Sequence, residues 1–167
     1  CSSDLSERNI SVVVPAKAVT RALRAVHASF YLSSHTVSVG IIGPGTVGRV
    51  LIDQIASQAE RLRRDFKLDL RVRGLLTSKR MLLEERGIDL GRWQASLESA
   101  AATPDLERFV SHVAADYLPH RVIIDCTASG EVARHYARWL AAGIHVVTPN
   151  KKANSAPLAE YRSLHEA

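Results

Sequence analysis

Residues 37–48, Val37-Ser38-Val39-Gly40-Ile41-Ile42-Gly43-Pro44-Gly45-Thr46-Val47-Gly48, constrain the fold more than any other part of the chain. They read as a buried apolar strand that runs into Gly-x-Gly-x-x-Gly and then into a helix. The order of strand, glycines and helix carries the argument, because the glycines alone are weak evidence. Gly43 permits a tight turn, Gly45 lets the backbone approach a ligand, and Gly48 lets the helix pack close to the strand. The helix start at Thr46 and Val47 then offers backbone N–H groups to an anion such as a dinucleotide pyrophosphate.

The pattern that follows sets the fold class. A long amphipathic helix is expected over residues 46–66, with Val47, Val50, Leu51, Ile55 and Leu62 on its apolar side. Strands are expected at 70–76, 122–126 and 144–147, and helices at 104–115 and 131–142, the last stopped by Gly143 as a left-handed C-cap. Residues 81–97 read as short helices and loops. From Val37 onward strands and helices alternate, which predicts a Rossmann-type doubly wound parallel sheet with helices on both faces. A strand at 10–14, ended by Pro15, and a helix over 16–31 precede it, and a last helix is expected over 157–166. One strand and one helix are too little to bury a core. The expected division is therefore residues 1–35, the end of a preceding domain, and residues 36–167, the nucleotide-binding domain.

Composition narrows the function classes. The 167 residues are 46% hydrophobic and 23% charged, as in an ordinary globular protein. No apolar run approaches the roughly 18 residues of a membrane span. The polar start Cys1-Ser2-Ser3-Asp4 lacks the regions of a secretory signal, and a first residue other than Met suggests a processed chain or a piece of a longer one. The two cysteines, Cys1 and Cys126, make no disulfide framework and point to a reducing cytoplasm. The net charge of +5 is spread out, and 5% aromatic residues give no stacking platform for nucleic acid. The seven histidines show no metal-ligand spacing.

Ligands of such a sheet bind beyond the C-terminal ends of its strands. The glycine loop is the first of these ends. The second is Thr77-Ser78-Lys79-Arg80, where an NAD-preferring site usually places an acid for the adenosine ribose. Asp69 lies at the wrong end of its strand. Ser78, Lys79 and Arg80 instead favour the 2′-phosphate of NADP over NAD, unless Lys79 and Arg80 merely begin a solvent-exposed helix. At the third end, Thr127, Ala128 and Ser129 are small enough for a nicotinamide to lie against the backbone, and Thr127 or Ser129 could equally cap a helix. Cys126 reads as packing rather than as a nucleophile. The fourth end is Thr148-Pro149-Asn150-Lys151-Lys152, where a lysine can meet an anionic group or act as an acid or base.

Together the glycine loop, Asp125-Cys126-Thr127-Ala128-Ser129 and the run from His145 through Thr148-Pro149-Asn150-Lys151-Lys152 to Asn154 resemble homoserine dehydrogenase, most closely the dehydrogenase half of the bifunctional aspartokinase–homoserine dehydrogenases. The run from Ser6 to Val14 and the run Ala22-Leu23-Arg24-Ala25-Val26-His27 look like the closing strand and helix of an aspartokinase ACT regulatory domain. The resemblance implies NADP-linked interconversion of aspartate semialdehyde and homoserine, a step in threonine and methionine biosynthesis. By motif match it implies Lys151 as the catalytic lysine near nicotinamide and substrate, with Asn150 and Thr127 near the nicotinamide. It also implies a homo-oligomeric parent. The family's substrate domain has no counterpart before Ala167, so a fragment inactive alone is expected. A non-catalytic regulatory or dimerisation module, and another amino-acid semialdehyde dehydrogenase of the same fold, are the alternatives.

Overall fold

Strand β1, His35–Ile42, runs through the middle of a five-stranded sheet and delivers the glycine loop to its edge. The computed structural model describes residues 35–153 continuously, and residues 13–16, 19, 22, 23, 26, 155, 161, 162 and 164. The expected strand at 10–14 and the helices at 16–31 and 157–166 lie wholly or mostly outside the described residues. The other elements are α1 (Thr46–Phe66), β2 (Leu68–Leu76), β3 (Met81–Leu83), α2 (Trp93–Ser99), α3 (Leu106–Val113), β4 (His120–Asp125), α4 (Gly130–Ala133), α5 (Tyr136–Ala141) and β5 (His145–Val147).

The sheet order is β3-β2-β1-β4-β5. β1 pairs in parallel with β2 and β4, and β4 in parallel with β5, as the alternation predicts. β3 is a correction, since it pairs antiparallel to β2 in a region read as loops and short helices. Its direction follows from the short link. Only Thr77 to Arg80 separate the two strands, and a parallel partner needs a crossover of about a dozen residues. Lys79 and Arg80 therefore sit in a turn and do not begin a helix. Thr77 closes that turn, with its N–H donating to the Arg80 carbonyl at 2.9 Å and its Oγ1 accepting from the Arg80 N–H at 2.8 Å.

α1 covers the expected residues but is rotated from the expected face. Gly48, Ile52 and Ile55 are buried, whereas Val47 and Val50 are 55% and 54% exposed. Gly48 causes the rotation. A Cβ there would lie 2.6 Å from the Gly43 carbonyl oxygen, so this position faces the turn at close range. Successive helical residues are about 100° apart, which sends Val47 and Val50 outward.

Two apolar clusters cover the two sheet faces. Val39, Ile41, Val72 and Leu75 pack with Ile52, Ile55, Trp93 and Leu97. Ile42, Leu76 and Ile123 pack with Phe109, Val113, Tyr136 and Trp139. Val72 and Leu75 share a face although they are three residues apart. The register shifts between Val39 and Gly40, which face Val72 and Gly74, and leaves Arg73 as an extra bulged residue. Arg73 is 1% exposed. Its Nη1 donates to the His112 carbonyl at 2.7 Å, its Nε to the Glu85 carbonyl at 3.0 Å, and its Nη2 to Glu85 Oε2 at 2.7 Å and to the Tyr117 hydroxyl at 3.0 Å. Beside it, Gly40 and Gly74 leave room for Phe109. A Cβ at Gly74 would lie 2.7 Å from the Phe109 ring.

The helix expected over 131–142 is divided into α4 and α5, with Arg134 and His135 between them. Ala133 of α4 and Tyr136 and Trp139 of α5 all face the core. Gly143 ends α5 at a φ of 73°, donating to the Leu140 carbonyl. Asp105 caps α3 by accepting from the Arg108 N–H at 3.0 Å. No helix among the described residues is long and apolar enough to cross a membrane.

Candidate functional site

The C-terminal ends of β2, β1, β4 and β5 lie side by side in that order. At about 4.8 Å per strand they span about 14 Å, enough for an elongated ligand laid across the edge. Every residue expected to meet a ligand falls in one of the four turns that leave these ends or in the first turn of α1. Gly43, Gly45, Thr46, Val47 and Gly48 leave β1. Ser78, Lys79 and Arg80 leave β2 and are exposed. Thr127, Ala128 and Ser129 leave β4. Asn150 and Lys151 leave β5.

The glycine loop is built by its neighbours on both sides. The Gly43 N–H donates to the Leu76 carbonyl at 2.8 Å, and the Cys126 N–H to the Ile42 carbonyl at 2.8 Å. Gly43 has a φ of 77°, and a Cβ there would strike Thr127 Cγ2 at 2.6 Å. Gly43 and Gly48 are thus required by the chain's own packing. Gly45 is not, because a Cβ there would meet nothing within 4 Å. The open space lies at the start of α1, where the first intrahelical bond runs from the Arg49 N–H to the Gly45 carbonyl at 2.8 Å. No side chain caps this helix start and its first turn has no acidic residue. A 21-residue helix that begins uncapped, beside open space, suits an anion.

The acid-free end of β2 is equally clear. Asp69, at the other end of the strand, accepts from Arg63 Nε at 3.0 Å and Arg71 Nε at 2.6 Å. It belongs to a groove of about 940 Å³ lined also by Arg86, Gly87 and Asp89, away from the four strand ends.

Between β4 and β5 the two turns are tied together. Asp125 is fully buried. Its Oδ1 accepts from the Thr127 N–H at 2.8 Å, and its Oδ2 accepts from Asn150 Nδ2 at 3.1 Å and from the Tyr136 hydroxyl. Its carbonyl accepts from Thr148 Oγ1 at 2.7 Å. Asn150, 5% exposed, also donates from Nδ2 to the Ser129 carbonyl at 2.9 Å and accepts at Oδ1 from the Lys152 N–H at 3.1 Å. Its amide is therefore engaged within the protein. Thr127 Oγ1 accepts from the Ser129 N–H at 3.1 Å, while Ser129 stands at the N-cap of α4 with no side-chain cap bond. Burial, then the hydrogen bond to Asp125, pushes the Tyr136 hydroxyl far above the ordinary tyrosine range, so it stays a donor. Burial, then the Asp125 charge, pushes the Cys126 thiol up, which disfavours a thiolate. Lys151 is exposed on its turn.

Asp125 stands in a motif the sequence analysis quotes, but neither it nor Tyr136 receives a role there. A carboxylate that ends an otherwise apolar strand was the available signal for Asp125. Tyr136 had none, because Asp125 and Thr148, which its hydroxyl meets, are 11 and 12 residues away in sequence. Among the described residues no three His, Cys, Asp or Glu side chains could hold a metal ion.

The fold and these turns define a class first, a Rossmann-type α/β domain with its glycine loop at the sheet edge. Within that class the chain belongs to the homoserine dehydrogenase NAD-binding domain family, whose model, "Homoserine dehydrogenase, NAD binding domain", matches residues 43–167. The chloroplastic bifunctional aspartokinase/homoserine dehydrogenase of Daucus carota is 52% identical over 160 residues, 95% of this chain and 17% of the carrot protein. Isoform 1 from Arabidopsis thaliana is 50% identical, over 96% of this chain and 18% of its own length. The chain thus spans under a fifth of these relatives. A hyperthermophilic archaeal homoserine dehydrogenase solved with NADPH shares the fold, with a TM-score of 0.59 and 20% identity over 78% of this chain and 41% of that one.

Proposed function

We propose that this chain is the NADP-binding part of a homoserine dehydrogenase, within a bifunctional aspartokinase–homoserine dehydrogenase. The observation that carries the cofactor assignment is the placement of the glycine loop beside the end of β2. The glycine loop is bonded to the end of β2, and the turn leaving that end is basic and free of acid. Phosphates would meet the N–H groups of Thr46, Val47 and Gly48, with the close approach at Gly45. Ser78, Lys79 and Arg80 would hold the 2′-phosphate, and Thr127, Ala128 and Ser129 would flank the nicotinamide. The bound cofactor supplies the hydride exchanged with the carbonyl carbon of aspartate semialdehyde. Lys151 would bind the substrate oxygen or give it a proton. Asn150 serves this end by holding the turn.

Residues 1–35 fit the closing strand and helix of an ACT regulatory domain, with residues 36–167 as the nucleotide-binding domain. The parent would act on aspartate semialdehyde and homoserine as a homo-oligomer. Its compartment is the parent's own. The plant relatives are named as chloroplastic, whereas the cysteine content suggests cytoplasm. This chain alone would bind cofactor without turning over, since Lys151 is the one residue assigned to the aldehyde and a single contact does not orient it.

Calorimetric titration of the chain with NADP and NAD tests the reading. NADP is expected to bind more tightly, and K79A with R80A to weaken NADP by about 10–100-fold, the worth of charge-assisted hydrogen bonds, with little change for NAD. Equal affinity for the two cofactors in the unaltered chain would overturn the NADP assignment. Measurable homoserine oxidation by the chain alone would overturn its inactivity.

A further inference from the structure

We propose that Asp125 and Tyr136 are positioning residues for Lys151, acting through the turn that carries it. This rests on the reading of Lys151 given above. The β4–β5 ladder ends at the pair Ile124 and Val147, so no strand pairing holds residues 148–152. From the sheet side one buried centre holds them, while Ser155 closes the far side of the turn by donating to the Lys151 carbonyl from its N–H at 3.0 Å and its Oγ at 2.9 Å. Thr148 Oγ1 donates to the Asp125 carbonyl and accepts from the Asn150 N–H at 2.9 Å, and the Tyr136 hydroxyl lies 3.2 Å from the same oxygen. Asn150 joins Asp125 Oδ2 to the Ser129 carbonyl and receives the Lys152 N–H. The residues on either side of Lys151 are therefore both anchored, and Lys151 is left to project from the turn.

The exposures separate holding from chemistry. Asp125, Tyr136 and Asn150 are 0%, 2% and 5% exposed, and Lys151 is exposed. A group so enclosed and so fully bonded does not reach a reacting atom. It can set where its neighbour points, and a misplacement of about 1 Å at a reacting group costs on the order of 100-fold in rate. The centre also joins the β4 turn to the β5 turn. The two turns that would flank nicotinamide and substrate thus move as one body. The glycine loop meets this centre through the bond from the Cys126 N–H to the Ile42 carbonyl and through packing on Cys126 and Thr127. None of these contacts involves the Tyr136 or Thr148 hydroxyl, so the phosphate-binding share of cofactor affinity is expected to survive loss of either hydroxyl.

The test compares Tyr136→Phe, which keeps the ring in the core, with Thr148→Val and Lys151→Ala. Each is made in the complete bifunctional enzyme, with NADPH sites counted by fluorescence titration. Tyr136→Phe and Thr148→Val are each expected to lower kcat per NADPH site by on the order of tenfold or more, with Kd for NADPH changed less than about threefold. A purely structural role would instead lower the number of NADPH sites and leave kcat per site unchanged, and that result overturns the proposal. A full kcat in Lys151→Ala removes the underlying reading and this proposal with it. Loss in Lys151→Ala with kcat per site intact in both other variants overturns the positioning role alone.

Discussion

Arg73 shows how a charged side chain is kept inside this domain. Its guanidinium donates to two carbonyls, a carboxylate and a hydroxyl, so burial leaves none of its nitrogens unbonded. Its neighbour His112 is less well placed. Burial, then the adjacent Arg73 charge, lowers the His112 pKa from its ordinary value, against weaker opposing pulls from a backbone hydrogen bond at Glu84 and the Glu85 carboxylate. The depressed value means that the unfolded chain takes up the proton first as pH falls. This contribution to stability is therefore present above about pH 6.5 and is lost on acidification below it. The urea midpoint is expected to fall between pH 7.5 and 5.5, and His112→Gln to flatten that slope. An unchanged slope in the variant would locate the pH dependence elsewhere. At this scale the sequence was informative about glycines and poor about polar partners. Gly43 and Gly48 could be given roles from spacing because local geometry dictates them. The partners of Arg73 and Asp125 are 12 to 44 and 11 to 25 residues away in sequence, apart from the local bond to Thr127, so local spacing carried no sign of them.

Among the elements, α1 was legible from its periodicity, β1, β2 and β4 from their apolar runs, and the short β5 because Gly143 and Thr148-Pro149 mark its two ends. β3 was not. Three residues are too few for a pattern, and its strand state comes from the Thr77–Arg80 turn that folds it onto β2. The helix over 131–142 was overextended because no Gly or Pro marks the break at Arg134 and His135. Packing of α3 on the sheet gives a direct test. Gly74→Ala would press a methyl to 2.7 Å from Phe109 and is expected to destabilise by about 1–3 kcal/mol in urea unfolding. Gly45→Ala meets no protein atom within 4 Å, so its stability is expected to stay within about 0.5 kcal/mol of the parent. Its loss should appear instead in dinucleotide affinity. A Gly45→Ala variant that binds NADP normally would sink the close-approach role.

For the molecule as a whole, the sheet order ranks the strands by how they are held. β1 is paired on both sides along most of its length, whereas β3 and β5 each have three residues and one partner among the described residues. Hydrogen exchange is expected to be slowest at Val39 and Ile41 and faster by orders of magnitude at Met81–Leu83 and His145–Val147. Equal protection across the sheet would contradict that ranking. The overall alternation was readable because buried parallel strands announce themselves as apolar runs. The joining of the four turns into one edge was readable only by analogy with the fold, since it depends on strand order.

The bulge at Arg73 has one more consequence. Val72 faces Val39, and Gly74, Leu75 and Leu76 face Gly40, Ile41 and Ile42 in unbroken succession. Leave position 73 out, and the remaining residues of β2 alternate regularly against β1 with every side chain on its present face. Arg73 is in that sense a removable insertion. A homologous chain one residue shorter here keeps the same inside and outside, and a gap at this position in a comparison of sequences marks the loss of a clasp between β2 and α3 while the fold stays as it is.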